Sequence, residues 1–492
     1  MERIFIGLKV EYDRLRQNMR FLVTLLLVVI TGCSFTPELK RPDIELPSSR
    51  LPSEIKEEDI SKGKGVQPEW WRHFNDPVLN ALIDEALKNN DDLLIAASRI
   101  EQARTLLGIS SAELYPLITA GASASRTKTS EEVSNNGKGQ IFNNFSLSSM
   151  VSYEIDLWGR LRNEKEANLR RLLSAEAARQ GLRLSIISSV ISTYFNILSA
   201  EQQLRTAEEI MLRQKDIYEF RQKQLRHGVI DELIVEQSRA EYQSTRLILE
   251  GLKNQREILK SSLSLLLGKS PKEIFEKTYD FSREMPEIPP LPSFIPSEVL
   301  QKRPDIIQAE ENLKAANLEI GVARAAYFPR IPLTGLLGLQ SSELGNLIQS
   351  SAVFWNIGAN AAMPLLDFGR TKGNVRLKEA QKEEALLQYV KTVRTAFKEV
   401  YDGLVSLQQS MKRLDTQKEQ LESLEKVLRL SEKRYEKGLT DYLTVLDSQR
   451  GYLNARLNLI RLRAEVLNNY VFLYKALGVI SGEVKGGEGV RD

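Results

Sequence analysis

Apolar positions along the chain follow two different periods, and the switches between them mark out its elements. From Asp76-Pro77 to about Tyr115 they recur at helical spacing. A carboxylate at the N-cap with proline behind it opens this stretch, and Pro116 stops it. The period then becomes two. Ile118, Ala120, Ala122 and Ala124 alternate with Thr119, Gly121, Ser123 and Ser125. After a polar loop from Lys128 to Asn144, Phe145, Leu147, Val151, Tyr153, Ile155 and Leu157 alternate with Ser146, Ser148, Met150, Ser152, Glu154 and Asp156. The pattern predicts a hairpin with one apolar and one polar face. Gly159 closes it. No proline follows from Arg160 to His227, so these 68 residues read as one helix of about 100 Å at 1.5 Å per residue.

The same order returns. Pro329 follows Phe328 as Pro116 follows Tyr115, at an offset of 213, and Gly369 answers Gly159 at an offset of 210. Between them Ile331, Leu333, Leu337 and Leu339 make the apolar face of a third strand. Val353, Trp355, Ile357, Ala359, Ala361, Met363 and Leu365 make that of a fourth. At 210 residues' distance Gly228, Asp231, Leu233, Val235, Tyr242 and Arg246 match Gly438, Asp441, Leu443, Val445, Tyr452 and Arg456, and Gly478 answers Gly268. The chain is one unit written twice. Gly228 and Gly438 fit the left-handed residue that ends a helix, and Asp231 and Asp441 fit the N-cap of the next, which makes the long helices antiparallel neighbours. In the last helix Leu453, Leu457, Ile460, Ala464, Leu467, Val471 and Tyr474 step alternately by four and three, the spacing of a coiled-coil seam.

The organisation follows: a signal segment 1–32, a tether 33–69, a first repeat 70–284, a Pro-rich linker 285–296, a second repeat 297–480 and a tail 481–492. Composition narrows the function. Sixty-eight basic and 65 acidic residues give a net charge of +3 and no footprint for nucleic acid. Two histidines and one cysteine exclude disulfide frameworks, zinc clusters and Cys/His catalysis. Gly268-Lys269-Ser270 lacks the first glycine of a phosphate loop, since Leu263 stands there. No enzyme and no cofactor are expected. The one cysteine ends an apolar run from Phe21 to Ile30, too short to span a bilayer, in Ile30-Thr31-Gly32-Cys33. This resembles a bacterial lipobox, which implies cleavage before Cys33 and attachment of lipid, palmitate included. Ser34, in place of an aspartate, favours the outer membrane. Met19-Arg20-Phe21 would open a signal as well as Met1 does.

Strands of ~9 to 13 residues with one apolar face and one face of Ser, Thr, Gly and Asn suit an outer-membrane barrel. Four strands per chain cannot close one, and three chains supply twelve. Trp70-Trp71 with Phe74 and Asp76-Pro77, Arg303-Pro304-Asp305-Ile306 with Ala309-Glu310, and the run Gly321 to Pro329 then give a direct likeness. The chain resembles the TolC-like outer-membrane efflux proteins, lipoprotein branch. The resemblance implies an α+β membrane protein: a homotrimer whose twelve-stranded β-barrel in the outer membrane is continued by a long α-helical barrel in the periplasm. It also implies a periplasmic adaptor and an inner-membrane pump of the resistance-nodulation-division class as partners, and passive expulsion of drugs or other toxic solutes. Pro116, Gly159, Pro329 and Gly369 become strand–helix junctions. His227, Gly228, Val229, Ile230, Gly438, Leu439, Thr440 and Asp441 become adaptor-contacting tips. Leu443 and Asp447 take the family's two gate rings, where Gln237 replaces the carboxylate in the first copy, and three Asp447 carboxylates about one axis would repel one another or recruit cations. Tyr435 matches a position that ties neighbouring helices shut, while Thr440 replaces the arginine some members carry in that link. The runners-up are the outlet duct of a type I protein-secretion system and a lipid-anchored periplasmic coiled-coil scaffold.

Overall fold

A computed structural model describes residues 35–39, 69–132, 139–270, 272–273, 279–289 and 302–478. Cys33, the signal segment, the tail 481–492 and linker residues 290–296 lie outside them. The elements, in order, are a 3-10 turn Trp70–Phe74, α1 Pro77–Asn89, α2 Asp91–Ala112, β1 Leu117–Lys128, β2 Ile141–Glu154, α3 Arg160–Arg226 and α4 Glu232–Leu266. Then follow α5 Pro304–Ala325, β3 Pro332–Ser341, β4 Val353–Ala359, α6 Arg370–Glu436 and α7 Tyr442–Leu477. They form two compact units, each taking segments from both sequence repeats.

The first unit holds an antiparallel sheet in the order β1-β2-β3-β4. Its register keeps the strands' alternation in phase, with Ala122 opposite Leu147, Leu147 opposite Leu339 and Leu337 opposite Trp355, and Ser149, opposite Ala120 and Leu337, a polar point on the same face. Because side chains alternate across a strand, one mainly apolar face results, and it is exposed at Ile118, Leu147, Val151, Leu337, Trp355 and Ile357. The first hairpin is longer than its apolar alternation predicts, with Lys128 paired to Ile141. Backbone groups make the ladder, so Asn143 and Asn144 pair with Arg126 and Ser125 without an apolar side chain to advertise it. The fourth strand is shorter than expected and stops at Ala359, with one bridge beyond it at Ala362. Asn360 donates to the Pro332 carbonyl (3.2 Å), but proline has no N–H to return the bond, and Pro364 lies just ahead. At the foot of the sheet Phe35 stacks on Phe328 (ring centroids 4.5 Å), Trp158 stacks on the same ring (4.7 Å), and Trp158 Nε1 donates to the Pro329 carbonyl at 2.8 Å. A Cβ at Gly321 would collide with Thr36 and Asn163, which explains the glycine in that motif.

In the second unit the core is aromatic. Trp70 stacks on Tyr474 (4.8 Å), and Phe74 meets Phe195 edge-on (5.0 Å). Asp76 caps α1 by accepting from the backbone N–H of Val78 (2.9 Å) and Leu79 (3.2 Å), and it accepts from the buried Tyr194 hydroxyl at 2.7 Å. Burial first, then that carboxylate, push the Tyr194 phenol well above its usual pKa. The stretch expected to run unbroken to Tyr115 is two helices. It breaks at Asn90, whose side chain donates to the Leu266 carbonyl (2.9 Å) and accepts from Leu93 N (3.3 Å). Arg303 is buried and donates to Glu399 (2.6 Å), Asp305 (2.7 Å) and the Ala476 carbonyl (2.5 Å) at the end of α7, where the helix dipole favours a cation. Burial opposes its charge, and the two carboxylates outweigh that, so its pKa is raised.

Candidate functional site

Two helix reversals of the second unit carry the residues singled out as gate and tips. In the first, Gly228 at φ 68° donates to Leu225 O (2.9 Å) and Val229 donates to Gln224 O (2.9 Å). In the second, Gly438 at φ 68° donates to Tyr435 O (2.9 Å) and Leu439 to Arg434 O (2.8 Å). This paired bonding past a left-handed residue satisfies the last carbonyls of α3 and α6, and glycine takes that φ without a Cβ penalty. Each next helix is capped by the repeated aspartate. Asp231 accepts from Leu233 N (3.2 Å), and Asp441 accepts from Thr444 N (3.0 Å) and the Thr444 hydroxyl (2.5 Å). The Thr444 hydroxyl, then its N–H, hold the Asp441 carboxyl below the usual carboxylate range. His227, Gly228, Val229, Gly438, Leu439 and Asp441 are exposed, and Ile230 and Thr440 are half-buried. Val229 and Leu439 thus stand as matching apolar points on two matching turns.

Leu443 and Asp447 lie one turn apart on α7 and both face out, Leu443 with 48% and the Asp447 side chain with 68% of its surface open. Tyr435 does not share that face. It packs 5.4 Å from the buried Tyr442 ring, beside Val445, Leu446 and Ile234, and the Arg221 guanidinium sits over both rings at 5.0 and 4.9 Å. Ser238 Oγ and the Tyr442 hydroxyl join α4 to α7 at 3.0 Å.

Four residues escaped the sequence reading. Glu241 on α4 is 3% exposed, accepts from Arg450 Nε on α7 at 2.6 Å and from Gln214 on α3 at 3.4 Å, and Arg450 also lies 3.8 Å from Asp447. With Arg221, which covers Tyr435 of α6 and Tyr442 of α7, these tie α3, α4, α6 and α7 together. A signal was present in the repeat: Glu241 stands where the second copy has Gly451, Arg450 where the first has Ala240, and Arg221 where the second has Ser431. No cluster of three or more metal-ligating side chains occurs among the described residues.

The strand–helix junctions belong to the first unit. Pro116 precedes β1, Pro329 receives the Trp158 indole, and Gly159 (φ 72°) and Gly369 (φ 90°) precede α3 and α6.

The outer membrane efflux protein family matches residues 82–269 and 295–479. The cation efflux system protein CusC of Escherichia coli is 32% identical over 452 residues, covering 92% of this chain and 96% of its own. The toluene efflux pump outer membrane protein TtgC of Pseudomonas putida is 32% identical over 457 residues, covering 92% and 93%. Among solved structures, the Campylobacter jejuni CmeC outer membrane channel superposes with a TM-score of 0.86 at 31% identity, covering 91% of this chain and 95% of that one. The expected fold class is the one these neighbours have: an α+β membrane protein with four strands per chain, three chains to a twelve-stranded barrel, and long helices. The chain belongs to the outer membrane efflux protein family and is an outer-membrane efflux channel.

Proposed function

We propose that the channel is gated at its helix reversals and works as the passive outlet of a three-part pump. Leu443 and Asp447 form two rings about the trimer axis, and a periplasmic adaptor docks on the turns at Gly228 and Gly438. An inner-membrane pump of the resistance-nodulation-division class supplies the energy, drugs or other toxic solutes are the cargo, and the chain itself catalyses no reaction. The observation that carries this reading is the difference between two otherwise matched reversals. Both have the glycine, the capping aspartate and an exposed leucine, Leu233 and Leu443, but four residues after the leucine the second has the exposed Asp447 where the first has the half-buried Gln237, its nearby carboxylate, Glu236, standing one position earlier and beside Arg239. Tyr435, tucked under Arg221 with Tyr442, fixes the angle at which α7 leaves its turn. Cys33 carries the lipid, and Phe35, two residues on, is seated at the foot of the sheet, the place an outer-membrane anchor would require.

Planar-bilayer recording of purified trimers tests the gate. Leu443→Ala with Asp447→Ala is expected to raise single-channel conductance several-fold over the parent protein. An unchanged conductance in correctly assembled trimers would remove these residues as the constriction.

A further inference from the structure

The duplication contains a rule for strand register, and the sheet lets it be checked. First-repeat numbers become second-repeat numbers by adding 213 before the hairpin and 210 after it. Applied to Leu117↔Ser152 of the β1–β2 ladder this yields Arg330↔Ala362, and applied to Ala120↔Ser149 it yields Leu333↔Ala359. Both are pairs of the sheet. The two hairpins are therefore the same ladder written twice.

One ladder remains to be generated. β2 pairs with β3 inside the chain, and the same shifts carry β2 onto β4 and β3 onto β1, the two open edges of the sheet. We propose that β4 of one protomer, together with the residues that follow it to Met363, pairs with β1 of the next in the register that follows, with Ala361 opposite Ala122, Met363 opposite Ala120 and Ala359 opposite Ala124. The templates are Val151↔Gly335, Tyr153↔Leu333 and Ser149↔Leu337. A second observation, independent of the shifts, agrees. Apolar positions are even-numbered in β1 up to Ala124 and odd-numbered from Val353 to Leu365, so each of these pairs joins one to the other; toward the hairpin loop the same register sets Ile357 opposite Arg126 and Trp355 opposite Lys128, where the apolar face of β1 ends. A slip of one residue would set apolar against polar positions at each of the three protomer boundaries.

The same mapping locates a side-chain contact. Trp158 and Phe328, stacked at the β2–β3 junction, correspond to Phe368 and Tyr115, which lie on opposite edges and are 93% and 71% exposed. The two junctions differ in their caps. Asp156 accepts from Leu161 N and Arg162 N, whereas Asp367, one position later in its repeat, accepts from Gly369 N and Thr371 N. That shift turns Phe368 outward at φ 50°, a left-handed conformation for a phenylalanine. Pairing β4 with β1 of the next copy brings Tyr115 to this ring and covers both.

The inference rests on the trimeric fold and is tested so that the two can fail separately. Ala122→Cys with Ala361→Cys is compared with two pairs displaced by one repeat of the pleat, Ala122→Cys with Ala359→Cys and Ala122→Cys with Met363→Cys. Each single variant controls for Cys33, and Val151→Cys with Gly335→Cys sets the rate for an opposed pair within the chain. Heat-sensitive migration on gels reports trimer formation independently. On oxidation the first pair is expected to give covalent dimers and trimers at least ten-fold faster than either displaced pair. A faster displaced pair, or no covalent product from any of the three in trimers that still assemble, overturns the register. Tyr115→Ala and Phe368→Ala are each expected to lower the temperature of trimer dissociation, and the double variant to lower it by less than the two effects combined. Full additivity removes the contact.

Discussion

Arg450 has two carboxylates within reach, and burial decides which matters more for stability. Its bond to Glu241 ends on a nearly fully buried oxygen (2.6 Å), whereas Asp447 is 3.8 Å away and mostly in solvent. An exposed pair is worth about 0–1 kcal/mol, but stripping the partner from a buried charge costs about 3–5 kcal/mol. Arg450 is itself half exposed, so water relieves part of that loss, and Gln214 still donates to Glu241. Arg450→Met, which keeps the aliphatic stem, is expected to destabilise the helix packing by about 2 kcal/mol. Glu241→Gln is expected to cost less, because an amide there keeps a bond to Arg450 and needs no counter-charge. Thermal unfolding in detergent checks the order. Equal melting temperatures for the two variants would show that the buried carboxylate does not depend on its arginine.

At the scale of elements, the same physics separates what the sequence declared from what it concealed. Helix ends at Gly228, Gly438 and Gly478, the caps at Asp76, Asp231 and Asp441, and the parity of every strand were legible, because each depends on residues within one turn or one pleat of each other. The break at Asn90 was not, since its side chain answers a carbonyl 176 residues away, and the Glu241–Arg450 pair spans 209. The proposed gate face shows both sides. The family resemblance singled out Leu443 and Asp447, which the structure leaves exposed one turn apart, but the packing of Tyr435 away from them came only with the fold. Glycines in the sheet make a test of element packing. A Cβ at Gly338 would stand 2.7 Å from Leu147 O, 2.8 Å from the Phe354 ring and 2.9 Å from Ser148 Cβ, while at Gly335 it would meet nothing within 4 Å. Gly338→Ala is therefore expected to cost about 1–3 kcal/mol through overpacking, and Gly335→Ala to be tolerated. Trimer dissociation temperature reads both. A Gly338→Ala trimer as stable as the Gly335→Ala one would mean that the Phe354 ring does not rest on that strand.

For the whole molecule, threefold symmetry turns a single exposed side chain into a ring, and this is where Asp447 gains weight. One surface aspartate in solvent changes little, but three at one level of a narrow passage act on every ion that crosses it. Gln237 contributes no charge at the matching place, so the charge of the proposed ring would come from the second copy of the repeat. Asp447→Asn keeps the shape and removes the charge. Its ion pair with Arg450, at 3.8 Å, joins two exposed groups, so assembly is expected to be unaffected to within about 1 kcal/mol. The expected change is in selectivity. In a potassium chloride gradient the parent channel is expected to prefer cations, and the variant's reversal potential to move toward zero. Screening sets the conditions: the Debye length is about 30 Å at 0.01 M but about 3 Å at 1 M, so the difference between parent and variant is largest in dilute salt and fades in concentrated salt. Equal reversal potentials in dilute salt would place the carboxylates away from the ion path, and the closure at the helix reversals would then rest on Leu443 and the adaptor rather than on charge.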